Sequence, residues 1–372
     1  MRVLVVTPWY PSLEAPGAGV FNLRDVELLS QQHEVTVLHL THPGASLAGP
    51  VPGDTREFPT ERVPFVLSRP GTLRGAVAAI RRLGAQVDLV HSMAFPALLP
   101  VALAKTGKPW VHTEHWSGLV GAAPSPQAKV ARAVLKPSLS RPHEVVAVGR
   151  GLADVIDRVR SVPVTVIGNK VRIAPAGMSA LPMTGGADEP LKLVGVGGLV
   201  PHKGPLAALD AMIELNARGI DASLTWAGVG PLDQALLERS VAAGVRERLC
   251  LLGHVDPEAL GDVLLAHHMF VLPTDGETFG VAIAEALGHG LPVVTSGVGG
   301  HLDFLPPEAS RVAASESAAL ADAIVALRND PTRWGNAEIR DYAETQFSED
   351  VRGRHYQGVY ASASRRAQIE KR

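Results

Sequence analysis

Short Val- and Leu-rich runs alternate with Ala-rich helical segments along the whole chain. Arg2–Thr7, Glu34–Leu40, Val87–His91, Trp110–Thr113 and Glu144–Val148 read as strands, and Gly19–Gln32 and Leu73–Leu83 as helices. Short buried runs separated by helices predict parallel sheets covered on both faces. The pattern lapses near Lys170, and the stretch from Ala174 to Pro190 is rich in Pro, Gly, Ala and Met, as a linker would be. It restarts at Leu191–Gly197 much as Met1–Thr7 began it. Further strands are expected at Ser223–Ala227, Leu249–Leu252, Met269–Leu272 and Pro292–Thr295, and a closing helix at Ser348–Arg366. The expected organisation is an N-terminal α/β domain over 1–170, a linker over 171–190, a C-terminal α/β domain over 191–347 and a final helix over 348–372. Open parallel sheets bind ligands beyond the carboxyl ends of their strands, so two such edges facing each other across a deep cleft are the expected site.

The segment Thr274–Val294 holds the most informative chemistry. An apolar run, Met269–Leu272, enters it and another, Leu291–Val294, leaves it, so it reads strand, loop, helix, strand. Glu277 falls in the loop. Seven residues intervene before Glu285, which falls on the helix, with Gly280 between them. One carboxylate at the mouth of a crevice and a second on the adjoining helix suit a polyhydroxylated ligand. The helix N-terminus near Phe279 and Gly280 directs unpaired N–H groups into the same space, which suits phosphate. A nucleotide sugar has both kinds of group.

Other glycine turns follow strands of the same half. The run from Gly195 to Gly204 includes Gly197, Gly198 and Lys203; it is not a P-loop, since no Ser or Thr follows the lysine, and its spacing is not a dinucleotide fingerprint. Gly228 lies in Trp226–Pro231, and His254 and Val255 close Leu252–Val255. Each turn alone reads equally well as a tight βα connection. Together with 273–300 they place four loops at one edge of one sheet. In the first half, Gly17 and Gly19 lie between strand and helix, where a diphosphate or simply a flexible loop would fit. Glu114 and His115 stand at a strand tip, and His115 is the functional histidine to expect. His91 ends another strand, while His112 and the pair His267–His268 read as structural. No Asp-x-Asp pair occurs in the chain. Such pairs hold a divalent metal against a diphosphate, so neutralisation by lysine, arginine and the helix dipole is expected, with no metal and no cofactor.

Composition narrows the picture further. A chain of 372 residues, 46% apolar, can fill two cores. Its mean hydropathy of +0.13 comes from short runs, and none reaches the length of a membrane span. Cys250 is the single cysteine, which excludes a disulfide framework or a thiolate metal site. The net charge of -2 hides an asymmetry: residues 1–150 hold 15 Lys+Arg against 10 Asp+Glu, and the remainder 20 against 27. A basic half suits an anionic membrane or acceptor, and ordinary surface scatter explains it as well. A cytoplasmic enzyme, peripheral to a membrane at most and with no nucleic-acid partner, is the expectation.

Taken together, these motifs resemble the family 4 retaining glycosyltransferases of the GT-B fold, over nearly the whole chain. The stretch from Glu277 through Thr278, Phe279 and Gly280 to Glu285 is the most specific part. The loop 197–204, Gly228–Pro231, Asn169, Gln32–Leu38 and the closing Phe347–Ser348 with its helix add to it. The resemblance implies two Rossmann-like domains, with the last helix crossing back onto the first. It implies that Glu277 holds donor-sugar hydroxyls, Glu285 the ribose, and backbone N–H groups at Phe279 and Gly280 the sugar and phosphates. Lys203 would neutralise the leaving diphosphate, Gly19 would contact it from the other domain, His115 would sit against the sugar at C6, and backbone near His254 and Val255 would meet the base. Two positions depart from the family: Gly198 stands where an arginine usually meets the diphosphate, with Arg24, Arg150 and Arg172 as possible substitutes, and Gly168–Arg172 replaces the usual hinge sequence. The reading is a bacterial-type, metal-independent retaining hexosyltransferase. It uses a nucleoside-diphosphate sugar and an acceptor that is a glycan, lipid-linked or a small molecule. The alternatives are a nucleotide-sugar epimerase on the same architecture and a non-catalytic sugar-nucleotide binding protein.

Overall fold

The computed structural model describes residues 1–15, 18–47, 58–116, 119, 133, 136–183 and 190–371. The chain divides into two compact units, Met1–Lys170 with Glu349–Arg372, and Val171–Ser348.

The first unit is built on β1 (Arg2–Thr7), β2 (Glu34–Thr41), β3 (Thr60–Pro64), β4 (Leu89–Met93), β5 (Trp110–Glu114), β6 (Glu144–Ala147) and β7 (Thr165–Val166). They lie in the order β3-β2-β1-β4-β5-β6-β7, and every pairing is parallel. Val3, Leu4, Val5 and Val6 are fully buried, as a central parallel strand covered on both faces requires. The strand order reverses between β1 and β4. The second unit repeats the plan with β8 (Leu191–Val196), β9 (Ala222–Ala227), β10 (Leu249–Gly253), β11 (Met269–Leu272), β12 (Val293–Ser296) and β13 (Ser310–Ala313), ordered β10-β9-β8-β11-β12-β13. Here the reversal falls between β8 and β11. Beyond the carboxyl ends of strands at such a switch point, the loops on either side run apart and leave a crevice.

Three strands lie outside the sequence expectation. β3, Thr-Glu-Arg-Val-Pro, and β13, Ser-Arg-Val-Ala, are edge strands that alternate polar and apolar residues only weakly, and β7 is two residues long. The segment expected as a linker belongs to the second unit over 171–183. Ala174 N–H donates to Gly288 O (2.9 Å), Ala180 N–H to His289 O (2.8 Å) and Leu181 N–H to His267 O (3.0 Å); 184–189 lie outside the described residues. The final helix, Glu349–Ile369, packs in the first unit, where Tyr356, Val359, Tyr360 and Ala363 join the core formed by Val3, Val5, Leu23 and Val26.

Candidate functional site

In the second unit, Lys203 and Glu277 stand on the loops after β8 and β11, the two strands that flank the switch point. Their side chains form an ion pair that is largely shielded from solvent. Backbone geometry holds the two loops together. Gly204 has φ +69°, and a Cβ there would fall 2.2 Å from Pro273 O, so only glycine fits. Asp275 N–H donates to His202 O (2.8 Å), and Thr274 Oγ1 donates to the same oxygen (3.0 Å). The glycine turns interlock on the other side. Gly228 N–H donates to Gly253 O (2.8 Å), Leu199 N–H to Val229 O (3.0 Å) and Trp226 Nε1 to Gly197 O (2.8 Å). A Cβ on Gly228 would lie 1.9 Å from Gly197 O. These contacts make one rigid rim out of Gly197, Gly198, Lys203, Gly228 and the β10 loop, which ends in exposed His254 and half-buried Val255.

The helix Val281–Gly288 begins at Gly280, whose φ of +91° turns the chain into the helix. Its first N–H groups have no intrahelical acceptor. Phe279 turns its ring inward, 4.9 Å from Phe304 and 5.8 Å from Phe347, which leaves its backbone on the loop side. Thr278 is half-buried beside it. Glu285, on the same helix, is buried, and Arg172 Nη1 lies 3.8 Å from its Oε1; the other Arg172 nitrogen lies 3.6 Å from Glu258. Arg172 thus stands at Glu285.

A third loop completes this edge; the sequence places Gly297–Gly300 at the end of 273–300 without a role of their own, and His301 lies just beyond. Gly300 N–H donates to Glu277 O (2.8 Å), and a Cβ on Gly300 would fall 2.1 Å from Thr278 O. His301 is fully buried against Gly280; its Nε2 is 3.0 Å from Ser296 O, and its Nδ1 has no partner. Burial holds His301 below the usual histidine range. The signal was available in the glycines of Gly297–Gly300, which follow a strand as the other functional turns do.

In the first unit, Gly19 opens the helix Val20–Ser30 with φ +69°, and a Cβ there would lie 2.2 Å from Trp9 O. Asn22 pins the β1 loop by donating to Thr7 Oγ1 (2.9 Å) and Trp9 O (2.7 Å). Gly17 lies outside the described residues. His115 follows β5, with a side chain 4% exposed. Its ring lies 4.6 Å from that of Phe21, Asp25 Oδ2 lies 3.7 Å from its Nε2, and neither ring nitrogen makes a hydrogen bond. Glu114 accepts from the His115 and Trp116 N–H groups (2.9 Å each), which fixes the turn after β5. His112 and His91 are fully buried: His112 bonds Ser92 (2.9 Å) and Glu114 (3.2 Å), and His91 bonds Tyr360 (2.8 Å) and Thr113 (2.7 Å). His267 and His268 likewise bond backbone, Val263 O and Lys192 N–H. Among the described residues no group of His, Cys, Asp or Glu is placed to hold a metal ion, and no helix is long and apolar enough to cross a membrane.

Comparison with known proteins follows the same division. Residues 17–174 match the family model described as Glycosyltransferase Family 4, and residues 190–330 match Glycosyl transferases group 1. The chain is similar to the phosphatidyl-myo-inositol mannosyltransferase of Mycobacterium leprae, 29% identical over 98% of this chain and 99% of that one. It is 31% identical to the lipopolysaccharide core biosynthesis mannosyltransferase LpsB of Rhizobium meliloti, over 48% of this chain and 54% of that one. The crystal structure of Anabaena HepE in complex with UDP shares the fold, with a TM-score of 0.75 at 17% identity, covering 97% of this chain and 100% of that one. With both sheets built as this fold requires and matches running along nearly its whole length, the chain belongs to the family 4 glycosyltransferases and is a glycosyltransferase of GT-B fold.

Proposed function

We propose that the chain transfers a hexose from a nucleoside-diphosphate sugar to an acceptor hydroxyl, with retention of anomeric configuration and without a metal ion. The observation that carries this reading is the Lys203–Glu277 pair at the switch point of the second sheet, beside the N-terminus of Val281–Gly288. A diphosphate entering there meets one ammonium and the unpaired N–H groups of a helix start, and it draws Lys203 away from Glu277. Glu277, released, accepts hydrogen bonds from sugar hydroxyls. One group neutralises the leaving group and the other reads the sugar, and each holds the other in place until the ligand arrives. Glu285 serves the ribose, with Arg172 beside it. The roles of His115 at the sugar and Gly19 at the diphosphate belong to the same proposal.

In this reading Glu277 binds hydroxyls and no side chain at this edge serves as a nucleophile on the sugar. The family resemblance implies a front-face route, in which the leaving phosphate oxygen takes the acceptor's proton as the new bond forms on the face the phosphate leaves. The protein's part is to position the reactants and stabilise charge on the diphosphate. The relatives' names, phosphatidyl-myo-inositol and lipopolysaccharide-core mannosyltransferases, support a mannosyl donor and an acceptor that is a lipid or glycan. HepE's complex with UDP supports the nucleotide half of the donor. Such acceptors and the basic first half support peripheral contact with the inner face of a membrane. The test is transfer from GDP-mannose, UDP-glucose and UDP-N-acetylglucosamine in the presence of EDTA, with the anomeric proton of the product read by NMR. The expected product is the α-glycoside, formed at the same rate with or without chelator. A β-linked product, or turnover that EDTA abolishes and magnesium restores, would overturn the corresponding part of the reading.

A further inference from the structure

We propose that Asp25 is a positioning residue for His115, and that Arg352 from the C-terminal helix holds Asp25 in the place where it does this. The inference rests on the donor-binding role proposed for His115.

Asp25 lies on Val20–Ser30, one helical turn beyond the buried Asn22, and is 1% exposed. Its Oδ1 is paired with Arg352 Nη2, whose side chain is equally buried and whose Nε donates to Gly168 O (2.8 Å). Its Oδ2 accepts from Tyr356 Oη (3.3 Å) and faces His115 Nε2 at 3.7 Å. Of the acids that bear on the ring, Asp25 acts most strongly. The other charged or titratable groups that bear on the ring are Glu114 and His112 of β5 and Arg352 itself. Glu114 spends one oxygen on the His115 and Trp116 N–H groups and the other on His112. Burial lowers the His115 ring below the usual histidine range, with Asp25 and Glu114 opposing that only in part.

A neutral imidazole has one N–H and one lone pair, and the hydrogen bond made at one nitrogen decides which is which. Asp25 does not hydrogen-bond the ring, but its carboxylate 3.7 Å from Nε2 attracts a proton to that side by charge, which leaves Nδ1 as the acceptor. Neither nitrogen makes a hydrogen bond in this structure although the side chain is almost wholly buried, and only Nε2 has a carboxylate beside it. An acceptor there suits a hydroxyl donor such as a sugar OH and rejects a phosphate oxygen, which has no proton to offer. The geometry therefore divides the ligand: His115 takes the sugar, and the phosphates belong elsewhere. It also makes the last helix of the chain, 327 residues from Asp25, part of how the site is set.

The test separates positioning from folding. Asp25→Asn strands Arg352 without its charge partner and is expected to lower the melting temperature. The double variant Asp25→Asn/Arg352→Met removes both charges and is expected to melt near the wild-type temperature. Long-range proton–nitrogen NMR of histidine-labelled protein, with His115→Gln for assignment, reports the tautomer of His115 with no ligand present. The expected result is an Nε2–H tautomer in the wild type and a mixture in the double variant. Alongside it, kcat with a nucleotide sugar should fall by about a hundredfold, while affinity for the bare nucleoside diphosphate stays unchanged. Asp25→Glu with Arg352 intact should recover part of the loss. An Nδ1–H tautomer in the wild type, or a folded double variant with unchanged tautomer, would overturn the proposal. An expected tautomer change in a protein that uses no nucleotide sugar would instead sink the donor reading and leave the positioning role standing.

Discussion

At Gly198 the departure from the family becomes a measurable question. A glycine can be kept for its backbone, for close approach, or for neither. Gly228 and Gly204 are kept for close approach, since a Cβ at either would strike a carbonyl oxygen. Gly198 is different: its φ is not positive, and a Cβ there would sit 3.6 Å from Val200 Cγ2 and 3.7 Å from Val229 O, ordinary contact distances. A side chain fits, so Gly198→Arg is expected to fold and to add a charge-assisted contact to the diphosphate. That should tighten nucleoside-diphosphate binding by about 1 kcal/mol or more. Calorimetry at two salt concentrations checks it, with the gain shrinking at high salt. A folded variant of unchanged affinity would mean that the site is already neutralised by other groups.

At the scale of elements, the helix Glu349–Ile369 is fastened to the first unit by more than apolar packing. Arg352 and Asp25 form a buried pair, Tyr356 and Tyr360 bond Asp25 and His91, and Ser362 and Arg366 bond Glu144 at 2.6 and 2.7 Å. Removing one member of a buried pair leaves the other charge unsolvated, so Arg352→Met alone is expected to cost about 3–5 kcal/mol. Thermal unfolding followed by circular dichroism measures this; an unshifted transition would show the pair to be dispensable. None of it could be read from the sequence. The closing helix was legible from its composition and its family resemblance, but an ion pair between residues 25 and 352 has no local signature. The same reasoning covers the sheets. The central strands were legible because burial on both faces demands continuous apolar runs such as Val3–Val6. The edge strands β3, β7 and β13 bury less and were missed. The glycine turns were legible as a set because they punctuate strand ends, Gly299 and Gly300 among them as the end of 273–300, whereas the buried contact of His301 with Gly280 joins residues 21 apart and has no local signature.

Across the molecule, both units bury neutral histidines. His91 is lowered to about 3 and His39 to about 4, in each case chiefly by burial, and burial also lowers His115, His267 and His301. The unfolded chain binds protons at these sites near the ordinary histidine value of about 6.5. Between there and the folded values, the unfolded state holds more protons than the native one. Stability therefore rises with pH through this window, is fully present above it, and is lost as pH falls toward 4. Each unit of difference at one site corresponds to about 1.4 kcal/mol, so a clear drop in melting temperature between pH 7.5 and 5 is expected. His91→Gln should flatten the slope, and a melting temperature independent of pH over that range would contradict the assignment.

The central claim is that the switch-point edge of the second unit binds the nucleoside diphosphate of a sugar donor without a metal. Calorimetric titration of UDP and GDP in EDTA into the wild type, Glu285→Ala and Glu277→Ala tests it most directly. The account predicts that one of the two nucleotides binds the wild type. It predicts that Glu285→Ala weakens that binding by roughly 1.5–3 kcal/mol through loss of a charged hydrogen-bonding partner. Glu277→Ala should bind as tightly or more tightly, because Lys203 is released to the diphosphate. Binding that appears only with magnesium or manganese, or an equal loss in both variants, would contradict it.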